Sequence, residues 1–396
     1  MREPSSSHLK KPRSAAGKIF QRTAFSLLIL IVVLAVLDFG AYLLLNSSPL
    51  HRITQSDQDL FYRLRPGTAL DYRVGETFPD WWNQDAPLIH LAINSDGYRG
   101  PLVPRPKSLG EFRVICLGDS ITFGSDVDEK MTYPAQLQRV LEQKYLGRKI
   151  SVLNAGVPGY TSRQGLFLFK SKLMEYQPDA VIWGFGFNDH TLLPIVDNLD
   201  ISLIPLEPGS DINRSLKKKA LYWLWTQPLA QIIHSGIAPV FWRIRVAGLI
   251  PKLEDAKNIS PLTQSPERFN RSRVPLFEWN IHLLEMNKLA QERHFQLIVV
   301  IFLGTPDLYR ENAERFCSDH GVKFIAFSGL FARIIREGKL PDNNLYREMF
   351  KFYEKGLAPG ALEKYPMLYI TTDGLHPNDI GHHIISQNIA PALSPP

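Results

Sequence analysis

The apolar run Phe112-Arg113-Val114-Ile115-Cys116-Leu117 stops abruptly at Gly118-Asp119-Ser120, and this junction restricts the fold more than any other stretch of the 396 residues. A short apolar run bounded by Gly and Asp predicts a strand buried on both faces, as in a parallel sheet. Gly118 permits a sharp turn, and open parallel sheets gather their ligands beyond the carboxyl ends of the strands. Ser120 is therefore placed either to cap the next helix or to face a site. The same pattern recurs. Residues 150–153 run into Asn154-Ala155-Gly156-Val157-Pro158-Gly159-Tyr160-Thr161, and residues 180–183 run into Gly184-Phe185-Gly186-Phe187-Asn188-Asp189. Helical spacing is read at 131–146, 161–176, 276–293 and 306–319, with further apolar strands at 297–303 and 322–327. Strands alternating with helices predict an α/β fold with three α/β/α layers and a five-stranded parallel sheet.

A serine is a poor nucleophile unless a base lies within hydrogen-bond reach and a third group orients that base. The late segment Asp373-Gly374-Leu375-His376-Pro377 carries a carboxylate three residues before an imidazole. One turn of chain brings the two together. The backbone N–H of Gly159 and the side-chain amide of Asn188 are donors of the type that stabilise a tetrahedral oxyanion. Taken singly, each segment is also an ordinary strand-exit turn. Asp119 and Asp189 read as turn-capping residues, while Phe185 and Phe187 either narrow an acyl pocket or simply pack.

Together, in this order, the four segments resemble the SGNH (GDSL-type) hydrolases. The family's blocks are matched by Gly118-Asp119-Ser120, by Gly159 with Tyr160-Thr161, by Gly186-Phe187-Asn188-Asp189, and by Asp373-Gly374-Leu375-His376. The resemblance extends from about residue 110 to the end of the chain, apart from insertions. It implies a flavodoxin-like fold, Ser120 as nucleophile, His376 as general base and Asp373 as its orienting carboxylate. It also implies an oxyanion hole made by the Ser120 N–H, the Gly159 N–H and the Asn188 amide. The chemistry requires no cofactor or metal.

The amino-terminal segment suggests where such chemistry takes place. Residues 24–45 are apolar apart from Asp38, long enough to cross a bilayer, and follow a basic tail at 1–23. Residues 1–22 hold six Lys or Arg and one Glu, a net +5 of the chain's formal +6. The basic character is thus a property of the tail, which fits the positive-inside rule and argues against nucleic-acid binding. No small-residue cleavage site closes the apolar run, so a single-pass signal anchor with residues 46–396 outside the cytoplasm is expected. Residues 46–109 read as a spacer and flap before a hydrolase domain at 110–396, with insertions at about 191–275 and 336–365. In the first insertion, Leu216–Trp225 and Phe241–Arg245 interleave basic and aromatic residues, a pattern suited to packing, to a membrane interface or to a sugar-binding wall. Cys116 and Cys317 are expected as buried free thiols, and His382-His383 as helix residues pointing apart.

The expected activity is that of a membrane-anchored serine esterase removing short, acetyl-like acyl groups, with a cell-envelope polysaccharide as substrate. The alternatives are an O-acyltransferase using the same three residues, a lipid esterase or lysophospholipase, and a non-catalytic glycan-binding assembly protein. The partners implied are an acylated glycan or lipid and the membrane itself.

Overall fold

The computed structural model describes residues 15–45, 52–57, 59–74, 82–191, 272–337 and 344–395. The basic residues before Ala15, the aromatic segments Leu216–Trp225 and Phe241–Arg245, and most of the first insertion lie outside them. The first element, α1 (Ala15–Leu45), is 31 residues long, or about 46 Å. Its window Thr23–Gly40 has a mean hydropathy of 2.5 and buries none of its residues within the chain. It is long and apolar enough to cross a membrane.

Two antiparallel hairpins follow. In the first, β1 (Thr54–Asp57) pairs with β2 (Phe61–Leu64); in the second, β3 (Ala69–Arg73) pairs with β4 (Leu88–Ala92). Neither has a core of its own. Ile53, Leu60, Leu64, Leu70, Leu91 and Ile93 are buried in the hydrophobic cluster of the main sheet. Both hairpins are therefore fixed against the domain that follows them.

That domain runs through β5 (Phe112–Gly118), α2 (Ser120–Phe123), α3 (Tyr133–Lys144), β6 (Ile150–Gly156), α4 (Ser162–Ser171), β7 (Ala180–Gly184) and α5 (Phe187–His190). Beyond residue 271 come α6 (Leu276–Arg293), β8 (Gln296–Ile301), α7 (Asp307–His320), β9 (Lys323–Ala326) and α8 (Ser328–Glu337). The chain closes with α9 (Asn344–Glu354), α10 (Ala361–Lys364) and α11 (Asp379–Ile389). The five strands pair in parallel in the order β6-β5-β7-β8-β9. This is the doubly wound arrangement expected from the sequence, and its switch point lies beside β5. Every residue of β5, β6 and β7 is buried. Trp279, Leu283 and Tyr309 from α6 and α7 pack one face, and Leu137, Phe331 and Ile385 from α3, α8 and α11 pack the other. Of the second predicted insertion, α9 packs Phe350 and Tyr353 into this second face. Cys116 and Cys317 are both buried and unpaired, and they belong to opposite faces of the sheet.

The carboxyl ends of the three central strands form a row of glycines in register, with Gly118 opposite Gly156 on one side and Gly184 on the other. The short helix α2 lies directly over this row. A Cβ on Gly156 would fall 2.2 Å from the Phe123 nitrogen, and one on Gly118 would fall 2.8 Å from the Gly184 carbonyl oxygen. Side chains here would lift the turn that carries Ser120 off the sheet. We expect Gly156→Ala to lower stability by about 1–3 kcal/mol through overpacking. It should lower kcat/KM by about 10²-fold, the cost of a displacement near 1 Å at a reacting group. Urea unfolding and ester kinetics on the detergent-solubilised chain measure the two effects.

Candidate active site

Ser120 begins α2 at the end of β5, and Asp119 caps that helix by accepting from the Ile121 N–H at 3.0 Å. His376 arrives from the segment before α11, with its Nε2 2.9 Å from the Ser120 Oγ. Its Nδ1 lies 2.6 Å from Asp373 Oδ2. The other oxygen of Asp373 accepts from the backbone N–H groups of Leu375 and His376 at 2.9 and 2.7 Å. A carboxylate so held presents one lone pair to the imidazole and fixes both ring orientation and tautomer. Residues separated by 256 positions in sequence thus form a continuous Asp–His–Ser relay.

Gly159 and Asn188 come to the same edge of the sheet, on the loops after β6 and β7. Ser120, Gly159, Asn188 and His376 are all partly exposed, whereas the strands beneath them are buried. The backbone N–H groups of Ser120 and Gly159 have no acceptor among the described residues. Gly159 takes φ +80°, a left-handed conformation that glycine adopts without strain. The Asn188 amide donates to Asp119 Oδ2 and to the Tyr160 carbonyl, both at 3.2 Å. Both amide hydrogens therefore rest on protein acceptors, and donation to a substrate oxyanion requires one of these long bonds to be shared. Asp119 has a wider role than capping, since its second oxygen orients Asn188. Asp189 accepts from both the N–H and the Oγ of Ser162 and so joins α5 to the start of α4.

Several neighbouring residues pack rather than face the site. Phe185 is buried against Trp183, with ring centroids 4.8 Å apart, and covers Gly165. Only Phe187 stays partly exposed, beside Leu375 at Gly304. His382 accepts from the Tyr133 N–H at 3.1 Å in the interior, where burial pushes its pKa down to about 3. His383 bonds Gln136. Both histidines, expected to point apart as helix neighbours, bond residues of α3.

Two residues of the site carry no signal in the sequence. Arg99 is buried and clamps the loop after α2 through the carbonyls of Phe123, Gly124 and Val127. Asp126 lies on that loop at φ +64°. One of its carboxylate oxygens lies within 4.8 Å of both the His376 ring and the Asp373 carboxylate. It also accepts from Thr372 Oγ1 at 3.3 Å. Neither residue belongs to a recognisable motif, because each acts through the folded loop.

These charges govern His376. Burial by itself lowers its pKa, but the Asp373 charge and hydrogen bond, followed by the charges of Asp126 and Asp119, push it up to about 9. Asp373 is held below the usual carboxylate range: burial raises it, and His376 more than reverses this. Burial and then the Asp373 charge raise Asp126 to about 6. A general base must be unprotonated to act, so with His376 in the role proposed for it activity should rise with pH, with an apparent pKa well above 6.5 and approaching 9. Asp126→Asn removes one of the charges holding the proton on His376, so the rising limb of kcat/KM should move to lower pH. A pH–rate profile of both proteins checks the direction.

Comparison with known proteins follows the same site. Residues 116–251 match the GDSL-like Lipase/Acylhydrolase family model. An acetylxylan esterase from Xylanibacter ruminicola is 37% identical over 95 residues, which are 22% of this chain and 18% of that protein. The chain thus matches less than a fifth of the length of that relative. Among solved structures, the acetyl xylan esterase AlAXEase is similar at 13% identity and a TM-score of 0.37, over 72% of this chain and all of that one. The lipase/acylhydrolase from Enterococcus faecalis is similar at 16% identity and a TM-score of 0.35, over 72% of this chain and 98% of that one. Residues 116–251, about a third of the chain, thus match the GDSL-like Lipase/Acylhydrolase family model, and this stretch holds the Gly-Asp-Ser turn and the Gly159 and Asn188 loops.

Proposed function

We propose that this chain is a serine esterase that removes short acyl groups, acetyl above all, from a cell-envelope polysaccharide outside the cytoplasm. The observation that carries the reading is the relay from Asp373 through His376 to Ser120, at 2.6 and 2.9 Å. In this reading His376 Nε2 takes the Ser120 proton as Oγ attacks the ester carbonyl carbon. The oxyanion that forms is met by the Ser120 and Gly159 N–H groups and the Asn188 amide. Collapse expels the alcohol, protonated by His376, and leaves an acyl group on Ser120. Water, deprotonated by His376, then releases the acid and restores the serine.

The substrate class is supported by the 95-residue likeness to an acetylxylan esterase. The location is supported by α1 with its mean hydropathy of 2.5 and by the net +5 charge preceding the apolar run. A basic flank is retained on the cytoplasmic side of a span. That orientation sends the hydrolase domain to the opposite face, where envelope glycans lie.

Hydrolysis of acetyl, butyryl and octanoyl esters by the detergent-solubilised full chain, beside its Ser120→Ala variant, tests the proposal. Acetyl ester should be cleaved fastest, and turnover should vanish in Ser120→Ala. Preference for the octanoyl ester would replace the glycan substrate with a lipid. Equal turnover by both proteins would remove Ser120 from the chemistry.

A further inference from the structure

We infer that the amino-terminal hairpin β1–β2 is part of the catalytic machinery, with Tyr62 as a positioning residue for the oxyanion-binding peptide at Gly159. The inference rests on the esterase reading and adds to it an element outside the family-matched residues 116–251.

The Tyr62 hydroxyl donates to the Pro158 carbonyl at 2.7 Å. That carbonyl and the Gly159 N–H belong to one planar peptide unit. A bond that fixes the carbonyl therefore fixes the direction of the N–H on the opposite side of the same plane. It also polarises the unit, because hydrogen bonds in series strengthen one another. A Cβ on Gly159 would lie 2.6 Å from the Tyr62 oxygen, so the absence of a side chain there admits the tyrosine as well as the left-handed turn.

The contact is locked from the other side. Tyr160 Oη donates to the Tyr62 carbonyl at 2.6 Å, and the two rings meet edge to face at 5.4 Å. Tyr160 in turn offers its own carbonyl to the Asn188 amide. One hairpin residue is thus linked to both the backbone donor and the side-chain donor of the proposed oxyanion hole. Tyr160 is buried, and Gln164 Nε2 holds the Leu60 carbonyl at 3.0 Å, so the tip of the hairpin is also tied to α4.

The backbone of the hairpin provides an independent observation. Phe61, immediately before Tyr62, stands at φ +67°. A bulky residue in the left-handed region is strained, and such strain persists where the surrounding structure dictates the conformation. The strained residue sets the direction in which the strand carrying Tyr62 leaves its turn.

The experiment compares Tyr62→Phe with Asn188→Ala in the full chain. It measures kcat and KM for an acetyl ester, the affinity for an alkyl boronic acid that forms a tetrahedral adduct on the serine, and thermal unfolding. Phenylalanine keeps the ring contact and loses only the hydroxyl. In Tyr62→Phe, kcat and boronate affinity should fall about three- to tenfold, the scale of one hydrogen bond. KM and the unfolding temperature should stay near those of the parent. Asn188→Ala should lose about 10²–10³ in kcat. If Asn188→Ala shows that loss while Tyr62→Phe matches the parent in kcat and boronate affinity, the oxyanion hole stands and the role of Tyr62 is overturned. A parallel fall in stability with an unchanged ratio of boronate affinity to KM would also overturn it, leaving Tyr62 as packing. If Asn188→Ala turns over normally, the oxyanion reading itself fails, and the inference with it.

Discussion

Ser120 can meet a histidine at this sheet edge because the three central strands end without side chains. Gly118, Gly156 and Gly184 stand in register, and α2 rests where the Cβ atoms of Gly118 and Gly156 would be, while Phe302 fills that place at Gly184. Close contact between helix backbone and strand backbone sets the height of Ser120 above the sheet. Arg99 then holds the following loop by three carbonyls. The site is therefore positioned mainly by backbone groups, which tolerate little displacement.

A second constraint is electrostatic. Three carboxylates, Asp373, Asp126 and Asp119, act on the single imidazole of His376. They favour the protonated ring that forms during attack, and so oppose the free base at low pH. Burial works the other way. The balance sets the pH range of the site, and Asp126 adds to the side of it on which Asp373 already acts. The two carboxylates nearest His376 differ in their bonding: Asp373 accepts two backbone N–H groups as well as the ring, while Asp126 accepts from the Thr372 hydroxyl.

Much of this was legible in the sequence because Ser120, Gly159 and Asn188 sit just past strands that the apolar runs announce. The five strands, the helix Leu276–Arg293 and the Asp373–His376 spacing follow from local pattern. The hairpins were not legible. Their strands are only four or five residues long, and a segment such as Thr54-Gln55-Ser56-Asp57 offers no apolar alternation. Tyr62 bonds a carbonyl 96 positions away, and Asp126 bonds Thr372 across 246. Contacts of that kind depend on the completed fold, so no local spacing records them. Phe185 shows the reverse difficulty: its position beside Asn188 suggests a pocket wall, yet the ring turns inward onto Trp183.

Covalent labelling of the full chain with a fluorophosphonate, followed by peptide mass spectrometry, shows whether His376 activates Ser120. The reagent reports only a serine that a neighbouring base has activated. A single adduct is expected on the peptide containing Ser120, lost in His376→Ala. An adduct on another serine with Ser120 unmodified, or labelling of Ser120 that survives removal of His376, would contradict it.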